Sequence, residues 1–558
     1  MAKINEKTDT KKESTKINAE ELAKKQREIS VAEFFEKNRH LLGFDNPRKS
    51  LLTAVKEAVD NALDACEESR ILPEISVEII EMAENRYRII VEDNGPGIVK
   101  EQIPKIFAKL LYGSKFHRLR QSRGQQGIGI SAAVMFAQLT TGRPTRILSK
   151  ISPKEPAHYM ELHLNTQTNS PEVLVEQEKN WEKDNGTRIE MDIEGTYMKG
   201  AQSVDEYLRQ TAIINPHATI IYTNPKAEQF IYARATDQLP KEPQEIKPHP
   251  YGLELGILVK MLKNTESRTL QSFLMNDLSR VGSGTAKEIC DNALIDPKRK
   301  PSELTMQDAE KLIQAIKKTK ILAPTTDCLS PIGSELIEKS LKKEINAEFY
   351  VAVSRPIFVY RGNPFQIEVG LAYGGNQSKE EQVSLLRFAN RVPLLYQQGA
   401  CAITRSVVTT NWKTYGLQQS NSSLPIGPLT ILVHMSSVWV PFTSESKEAL
   451  AHYPEIIKEI KLALQEAGRK LQTYIYKKNK IKNQLERANL FEKYIPEVAD
   501  SLERLTGEKK EKIIQKFEEM IKKEEIQKQI HEMESLKGEI EEDLDTEEVN
   551  DDVNEEDE

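Results

Sequence analysis

"KEAVDNALDA", Lys56–Ala65, raises the question that decides the fold. Val59, Ala62, Leu63 and Cys66 recur at helical spacing and mark an apolar face, while Glu57, Asp60, Asn61 and Asp64 line up opposite them at intervals of three and four. Acids so spaced repel one another and weaken an isolated helix. Either water screens them, or a cation and its ligand belong on that face. The flanking sequence has to decide.

Downstream, "VEDNGPGI", Val91–Ile98, closes an apolar strand. Asn-Gly and Pro-Gly read as a tight turn; the same residues also suit a site in which Asp93 accepts from an exocyclic amine and Gly95 and Gly97 admit a flat base. "LLYGSKFHRLRQSRGQQGIGIS", Leu110–Ser131, is a basic loop bounded by glycines that runs into "SAAVMFAQL", a buried helix. Amides at a helix start favour a polyphosphate, although a flexible loop has the same composition. "NGTRIEM", Asn185–Met191, fits either a pocket-floor strand or an ordinary hairpin strand.

Taken in order, the acidic-stripe helix, the Asp-x-Gly-x-Gly after a strand, the Gly-rich lid and the later Gly-Thr resemble the ATP site shared by gyrase, Hsp-type chaperones, histidine kinases and MutL. This is the GHKL superfamily with its Bergerat fold. The resemblance implies that Glu57 polarises the attacking water, Asn61 coordinates Mg²⁺ and Asp93 binds the adenine amine, with Gly95, Gly97 and Thr187 beside it. Asp64 then supports the water network of the pocket floor, and Asp60 reads as a solvated residue. The implied cofactors are ATP and Mg²⁺, a pairing suited to phosphoanhydride hydrolysis by a water that a carboxylate positions.

The flanks narrow the resemblance. "EFFEKNRHLLGFDNPRKSLLTAVKEAVDNALDACEE" (Glu33–Glu68), "LSRVGSGTAKEI" (Leu278–Ile289) and "VWVPFTSESKEA" (Val438–Ala449) are similar to the B-subunit family of archaeal-type DNA topoisomerase VI, over about residues 30–480. That likeness implies further nucleotide contacts at Ser114 and Lys115 and along Arg123, Gly124, Gln125, Gln126, Gly127, Ile128, Gly129 and Ile130. It also implies that Lys447 reaches the γ-phosphate, where composition alone reads a solvated lysine in the first turn of a helix. In this family "ISVAEFFEKNRHLLGF", Ile29–Phe44, straps across to a second copy when ATP binds; its apolar residues equally suit packing on their own domain. The implied partners are a DNA-cleaving A subunit in an A2B2 heterotetramer, duplex DNA and a second copy of the chain.

The organisation read from the sequence is α+β. Residues 1–28 are a polar, disordered tail, and 29–245 hold the strap and an ATPase sandwich with strands at "EISVEII", "RYRIIVED", "HYMELHL", "GTRIEMDI" and "ATIIYTN". "PKEPQEIKPHP" reads as a linker into a helix-two-turns-helix module at 246–325. There Ser283 or Thr285 is expected to cap a helix, and Arg280, Lys287, Lys298, Arg299 and Lys300 form a candidate phosphate-contacting cluster. A second α+β unit, the transducer, is expected at 326–480, helical from about Lys447, followed by a charged helix and a disordered acidic tail at 481–558.

The 558 residues suffice for several domains. The four cysteines have no paired spacing, so neither a disulfide framework nor a zinc site is suggested. With no signal-like N-terminus and no run apolar enough to span a membrane, the expectation is a cytoplasmic protein without a membrane partner. Formal net charge is −7, but Glu541–Glu558 holds twelve acids and no Lys or Arg; the remainder is about +5, which permits contact with DNA. The rival reading is a GHKL chaperone or clamp, which would share Glu57, Asn61 and Asp93 but has no use for "LSRVGSGTAKEI". No strand-cleaving tyrosine is assignable, which places DNA cleavage on the implied A subunit.

Overall fold

A computed structural model of the chain describes residues 19–23, 26–114, 118–124, 127–444 and 446–520. Most of the N-terminal tail, the acidic tail, Lys115, Gln125 and Gln126 lie outside the described residues. Helices α1 (Ala19–Ala23) and α2 (Val31–Lys37) and a 3-10 turn at Arg39–Leu42 lead to the long helix α3, Pro47–Glu68. Asn46 caps α3 by accepting from the Lys49 amide, and Pro47 supplies a pre-set φ in the first turn. The apolar face read from the sequence is buried as expected, with Val59, Leu63 and Cys66 fully covered and Ala62 nearly so.

That face packs on an eight-stranded sheet of β1 (Glu74–Ala83), β2 (Arg86–Glu92), β3 (Thr145–Lys150), β4 (Ala157–Asn165), β5 (Ser170–Lys179), β6 (Gly186–Glu194), β7 (Thr219–Thr223) and β8 (Gln229–Tyr232). The spatial order is β5-β4-β3-β6-β2-β1-β7-β8, antiparallel except for the β1–β7 pair. Short α4 (Ile103–Phe107), α5 (Gly129–Thr141) and α6 (Val204–Ile214) join α3 over the sheet, so the α+β sandwich stands. Three strands escaped the sequence reading. β5 is an exposed edge, where most side chains are charged or polar and period-two burial vanishes; β3 and β8 are short.

The proline-rich stretch 240–250 forms no regular element until a 3-10 turn at Pro250–Gly252, yet it is bonded in place. The Gln244 amide donates to the Asp327 carbonyl at 2.8 Å and the Ile246 amide to Leu119 at 3.0 Å. Helices α7 (Leu255–Asn264), α8 (Leu270–Asp277), α9 (Ser283–Ala293) and α10 (Met306–Lys318) then enclose their own core around Leu258, Phe273, Leu274, Ile289 and Leu312. The expected caps are corrected here: Gly282 is the N-cap of α9 and makes no side-chain bond, so Ser283 is the first helical residue and Thr285 lies inside.

After α11 (Ser334–Glu344) a second sheet forms from β9 (Phe349–Ser354), β10 (Phe358–Tyr360), β11 (Asn363–Tyr373), β12 (Ser384–Ala389), β13 (Val392–Pro393) and β14 (Leu429–Ser437). Its order is β10-β11-β14-β12-β13 with β9 paired to β11, and β12 runs parallel to β14. α12 (Ala402–Thr409) and the first third of α13 (Pro454–Thr506) cover it, with Ile460, Leu464 and Leu471 fully buried. Helix does not begin near Lys447 as expected; Lys447 sits in a loop with φ 53°, and α13 starts seven residues later at Pro454. The charged helix has a partner. α14 (Lys510–Met520) folds back on α13 with Phe517 edge-on to Phe491 at 6.0 Å and Ile513 buried. Among the described residues no helix is long and apolar enough to cross a membrane.

The strap segment divides its apolar residues. Phe44 is 5% exposed and stacks on Phe136 of α5 at 4.7 Å, whereas Ile29, Val31, Phe34 and Leu41 remain more than a third exposed. Phe44→Ala is therefore expected to lower the unfolding free energy of the ATPase sandwich by about 3–5 kcal/mol, because a buried ring is lost beside a partner that cannot follow it. A urea titration followed by near-ultraviolet circular dichroism measures this.

Candidate functional site

The acidic face of α3 looks into a cavity of about 610 Å³, within the range of small-molecule sites. Glu57, Asn61 and Asp64 of α3 line it. So do Asp93 and Gly97 after β2, Ser114 in the loop that follows, and Thr187 on β6. Gly124, Gly127, Ile128, Gly129 and Ile130 line the side where α5 begins. Lys447 enters from the second sheet's side, together with Leu395, Tyr396 and Glu448.

Local structure explains the placement. Asp93 directly follows β2, and its Oδ1 accepts the Gly95 amide at 2.8 Å and the Thr187 amide at 3.2 Å. The other carboxylate oxygen takes no bond from the described residues. Burial pushes the Asp93 carboxyl up to about 6, with those two amides pulling the other way. Gly95 thus braces Asp93 and does not line the cavity. Gly97 adopts φ 72°, and a Cβ there would meet the Lys150 carbonyl oxygen at 2.1 Å, so only glycine fits this turn. At the opposite wall a Cβ on Gly129 would stand 1.7 Å from Glu57 Oε2; the absent side chain lets the carboxylate reach the start of α5, where backbone amides favour an anion.

One reading of α3 needs correction. Asp60 is not solvated: it is 6% exposed and accepts from the Tyr207 hydroxyl of α6 at 2.9 Å, and burial pushes its carboxyl up to about 6. Arg123, expected among the nucleotide contacts, turns its side chain behind α3 instead. Its Nη1 donates to Asp64 Oδ1 at 2.9 Å and Glu67 Oε2 at 2.7 Å, and its Nη2 to Glu67 Oε1 at 2.6 Å and Asn215 Oδ1 at 2.5 Å. Buried acids need a cation more than a loop surface does, so the guanidinium is drawn inward. Asp64 is accordingly an ion-pair partner as well as a lining residue. Only the Arg123 carbonyl faces the other way, where it accepts from Lys447 Nζ at 2.9 Å.

Glu67, Tyr207, Asn215 and His217 went unnoticed in the sequence. Glu67 extends the same stripe three residues past Asp64, a signal that was available; the other three come from distant segments and carry none. His217 Nε2 lies 2.6 Å from Glu67 Oε1. Burial opposes the charged form of Glu67, yet Arg123 and His217 outweigh it and hold that carboxyl well below the usual range.

In the helical module Arg280, Lys287 and Lys298 are exposed, whereas Arg299 pairs with Asp308 at 3.1 Å and Lys300 approaches Glu303 at 3.8 Å. The cluster is thus only partly free for phosphates.

Known proteins match the chain in both of its α+β units. Residues 46–193 match the family described as histidine kinase-, DNA gyrase B- and HSP90-like ATPase, and residues 324–487 match the topoisomerase VI B subunit transducer. The chain is 54% identical over 485 residues to the type 2 DNA topoisomerase 6 B subunit of Methanococcoides burtonii, covering 87% of this chain and 78% of that one. It is 40% identical to the corresponding B subunit of Pyrococcus horikoshii, covering 93% and 99%. The chain belongs to the B-subunit family of type 2 DNA topoisomerase 6. The B subunit of Methanosarcina mazei is likewise 55% identical across 86% of this chain and 78% of its own length. The chain is therefore a component of a DNA topoisomerase, with a GHKL, nucleotide-binding ATPase domain and a transducer, a combination for which the chaperone alternative has no need.

Arg123→Met is expected to destabilise the ATPase domain by about 3–5 kcal/mol at pH 7, since Asp64 and Glu67 are left buried without their cation. The native advantage tied to Glu67 is full above the unfolded carboxyl value of about 4.3 and shrinks as pH falls toward the depressed folded value. The gap between the melting curves of the two proteins should narrow between pH 5 and pH 3 without closing.

Proposed function

We propose that this chain is the ATP-operated gate of a topoisomerase VI, and the observation that carries the reading is that Glu57, Asn61 and Asp93 share one cavity with Lys447 from the transducer. In this reading Asp93 accepts the adenine amine through the oxygen that its own backbone partners leave free. Glu57, held at the start of α5, orients the attacking water, and the amides of Gly127–Ile130 receive the phosphates. Lys115, Gln125 and Gln126 are proposed to complete the phosphate contacts. Arg123 contributes through its backbone and by tying the lid loop to α3.

Mg²⁺ suits the donor set. Among the described residues no group of three or more His, Cys, Asp or Glu would hold a metal unaided, and Asn61 offers an exposed amide to the cavity. Magnesium takes few protein ligands and leans on phosphate oxygens. Asn61 would hold it, and its charge would offset that developing on the phosphates.

Lys447 joins the domains through the terminal phosphate, so hydrolysis removes the reason for one fixed orientation. Membership of the family supports partnership with an A subunit and with DNA; in this reading the A subunit cuts the duplex, the two subunits assemble as A2B2, and the complex works in the cytoplasm. The exposed Ile29, Val31, Phe34 and Leu41 support a self-dimer closed by ATP, and Arg280, Lys287 and Lys298 support sequence-independent contact with DNA phosphates.

Two outcomes test this reading. Glu57→Ala, mixed with an A subunit, ATP, Mg²⁺ and supercoiled plasmid, should lose relaxation by at least about a hundredfold while still binding a nonhydrolysable ATP analogue; relaxation at the native rate removes Glu57 from its role. ATP affinity should fall by up to about tenfold per pH unit below 6, because the acceptor form of Asp93 is the ionised one and protonation removes it. Calorimetric titrations between pH 5 and pH 8 check this, and Asp93→Asn should lose that component of the pH dependence.

A further inference from the structure

The loop that carries Lys447 is fastened at both ends. On the transducer side the Thr443 amide donates to the Ala449 carbonyl at 2.9 Å, and the Ala402 amide donates to Leu450 at 2.9 Å. Gln397 stitches the two arms of the loop: its Nε2 donates to Glu448 Oε2 at 2.6 Å and its Oε1 accepts from Thr443 Oγ1 at 3.4 Å. On the ATPase side the fastening falls on α3. Lys49 Nζ lies 2.6 Å from Glu448 Oε1, with only 12% and 6% of the two side chains exposed, and Lys56 Nζ donates to the Ser446 carbonyl at 3.4 Å. Lys49 Nζ also lies 2.9 Å from Asp45 Oδ1, a second anchor on the ATPase side.

These contacts bracket Lys447 on its two sides and belong to the helix that bears Glu57 and Asn61. A lysine side chain is long and flexible, and its reach becomes definite only when its backbone is. Lys447 itself sits at φ 53°, a conformation that its neighbours must impose.

We propose that Lys49 and Glu448 are positioning residues for Lys447: their interdomain ion pair sets where the lysine's backbone meets α3 and hence where its ammonium group enters the cavity. The inference rests on the reading of Lys447 as the contact to the terminal phosphate. A pair that merely glued the domains together would affect all nucleotides and all rates alike. A positioning pair acts only through Lys447.

The test uses the full chain with Mg²⁺ and compares Glu448→Gln, Lys49→Met, Lys49→Arg, Lys447→Ala and the Lys447→Ala/Glu448→Gln double variant. Steady-state hydrolysis gives kcat/KM for ATP, and calorimetry gives Kd for ADP, which lacks the group that Lys447 reaches. Glu448→Gln and Lys49→Met should each lower kcat/KM by about tenfold with ADP affinity within about twofold, and charge-preserving Lys49→Arg should recover most of the rate. Once Lys447 is alanine, Glu448→Gln should cost nothing further. An equal loss with and without Lys447, or a native rate in isosteric Glu448→Gln while Lys447→Ala is slow, overturns the positioning role and leaves the reading of Lys447 intact. A native rate in Lys447→Ala overturns that reading and this inference with it.

Discussion

The ATPase domain answers to one electrostatic constraint: α3 carries Glu57, Asp60, Asp64 and Glu67 on a single face, with Asp60 and Asp64 buried and Glu57 and Glu67 half-buried. Four acids at spacings of three and four cannot stay charged side by side in a poorly solvated place without partners. Partners from several parts of the chain relieve them. Tyr207 from α6 reaches Asp60, Arg123 from the lid loop spans Asp64 and Glu67, His217 meets Glu67, and the start of α5 receives Glu57. Of these partners Tyr207 and the start of α5 also line the cavity, so relieving part of the stripe helps to build its walls.

Shared polar contacts also join the two α+β units. Residues Ser122 and Arg123 are a junction at which the lid meets both α3 and the second sheet. Asn390 of the β12–β13 turn donates to the Ser122 carbonyl at 3.1 Å and to Ser437 at 2.9 Å, and the Ser437 amide donates back to Asn390 Oδ1 at 2.9 Å. Lys447 closes the junction on the Arg123 carbonyl. Asn390 and Arg391 both adopt left-handed φ, 47° and 64°, which turns the hairpin tightly enough to press its tip against the ATPase domain. Below that tip, Arg391's backbone amide donates to His434, whose other nitrogen lies 2.8 Å from buried Glu368. Polar groups thus run from the transducer sheet to the cavity wall, and a change at either end has a bonded route to the other.

How much of this was legible follows from the range of each interaction. Periodicity exposed α3 and most strands, because burial of one face leaves its mark every 3.6 or every two residues, and a nearly unbroken apolar run exposed α5, which is buried all round. The edge strand β5 left none, being solvated on both sides, and α13 was started too early because "SESKEALA" has helical composition while its backbone is committed to a docked loop. The hairpin of α14 on α13 was equally hidden, since an amphipathic helix does not announce what covers it. Motif order pointed to Glu57, Asn61, Asp93 and the Gly127–Ile130 run as one group, the family likeness added Lys447, and the fold gathers them around one cavity.

Arg123 and Asp60 mark the boundary of that legibility. Asp60, on a wet-looking helix face, was read as solvated and is buried against Tyr207, and the side chain of Arg123, implied by the family likeness to lie along the nucleotide, is engaged by Asp64 and Glu67. By itself the sequence determined which helix face is apolar, where the glycines stand and which residue types gather, since these are local properties of spacing and side-chain chemistry. Only the tertiary structure decided which charges meet, because a buried acid selects its partner by proximity and desolvation across 56 residues for Glu67 and Arg123, or 399 for Lys49 and Glu448, and no local pattern encodes that choice.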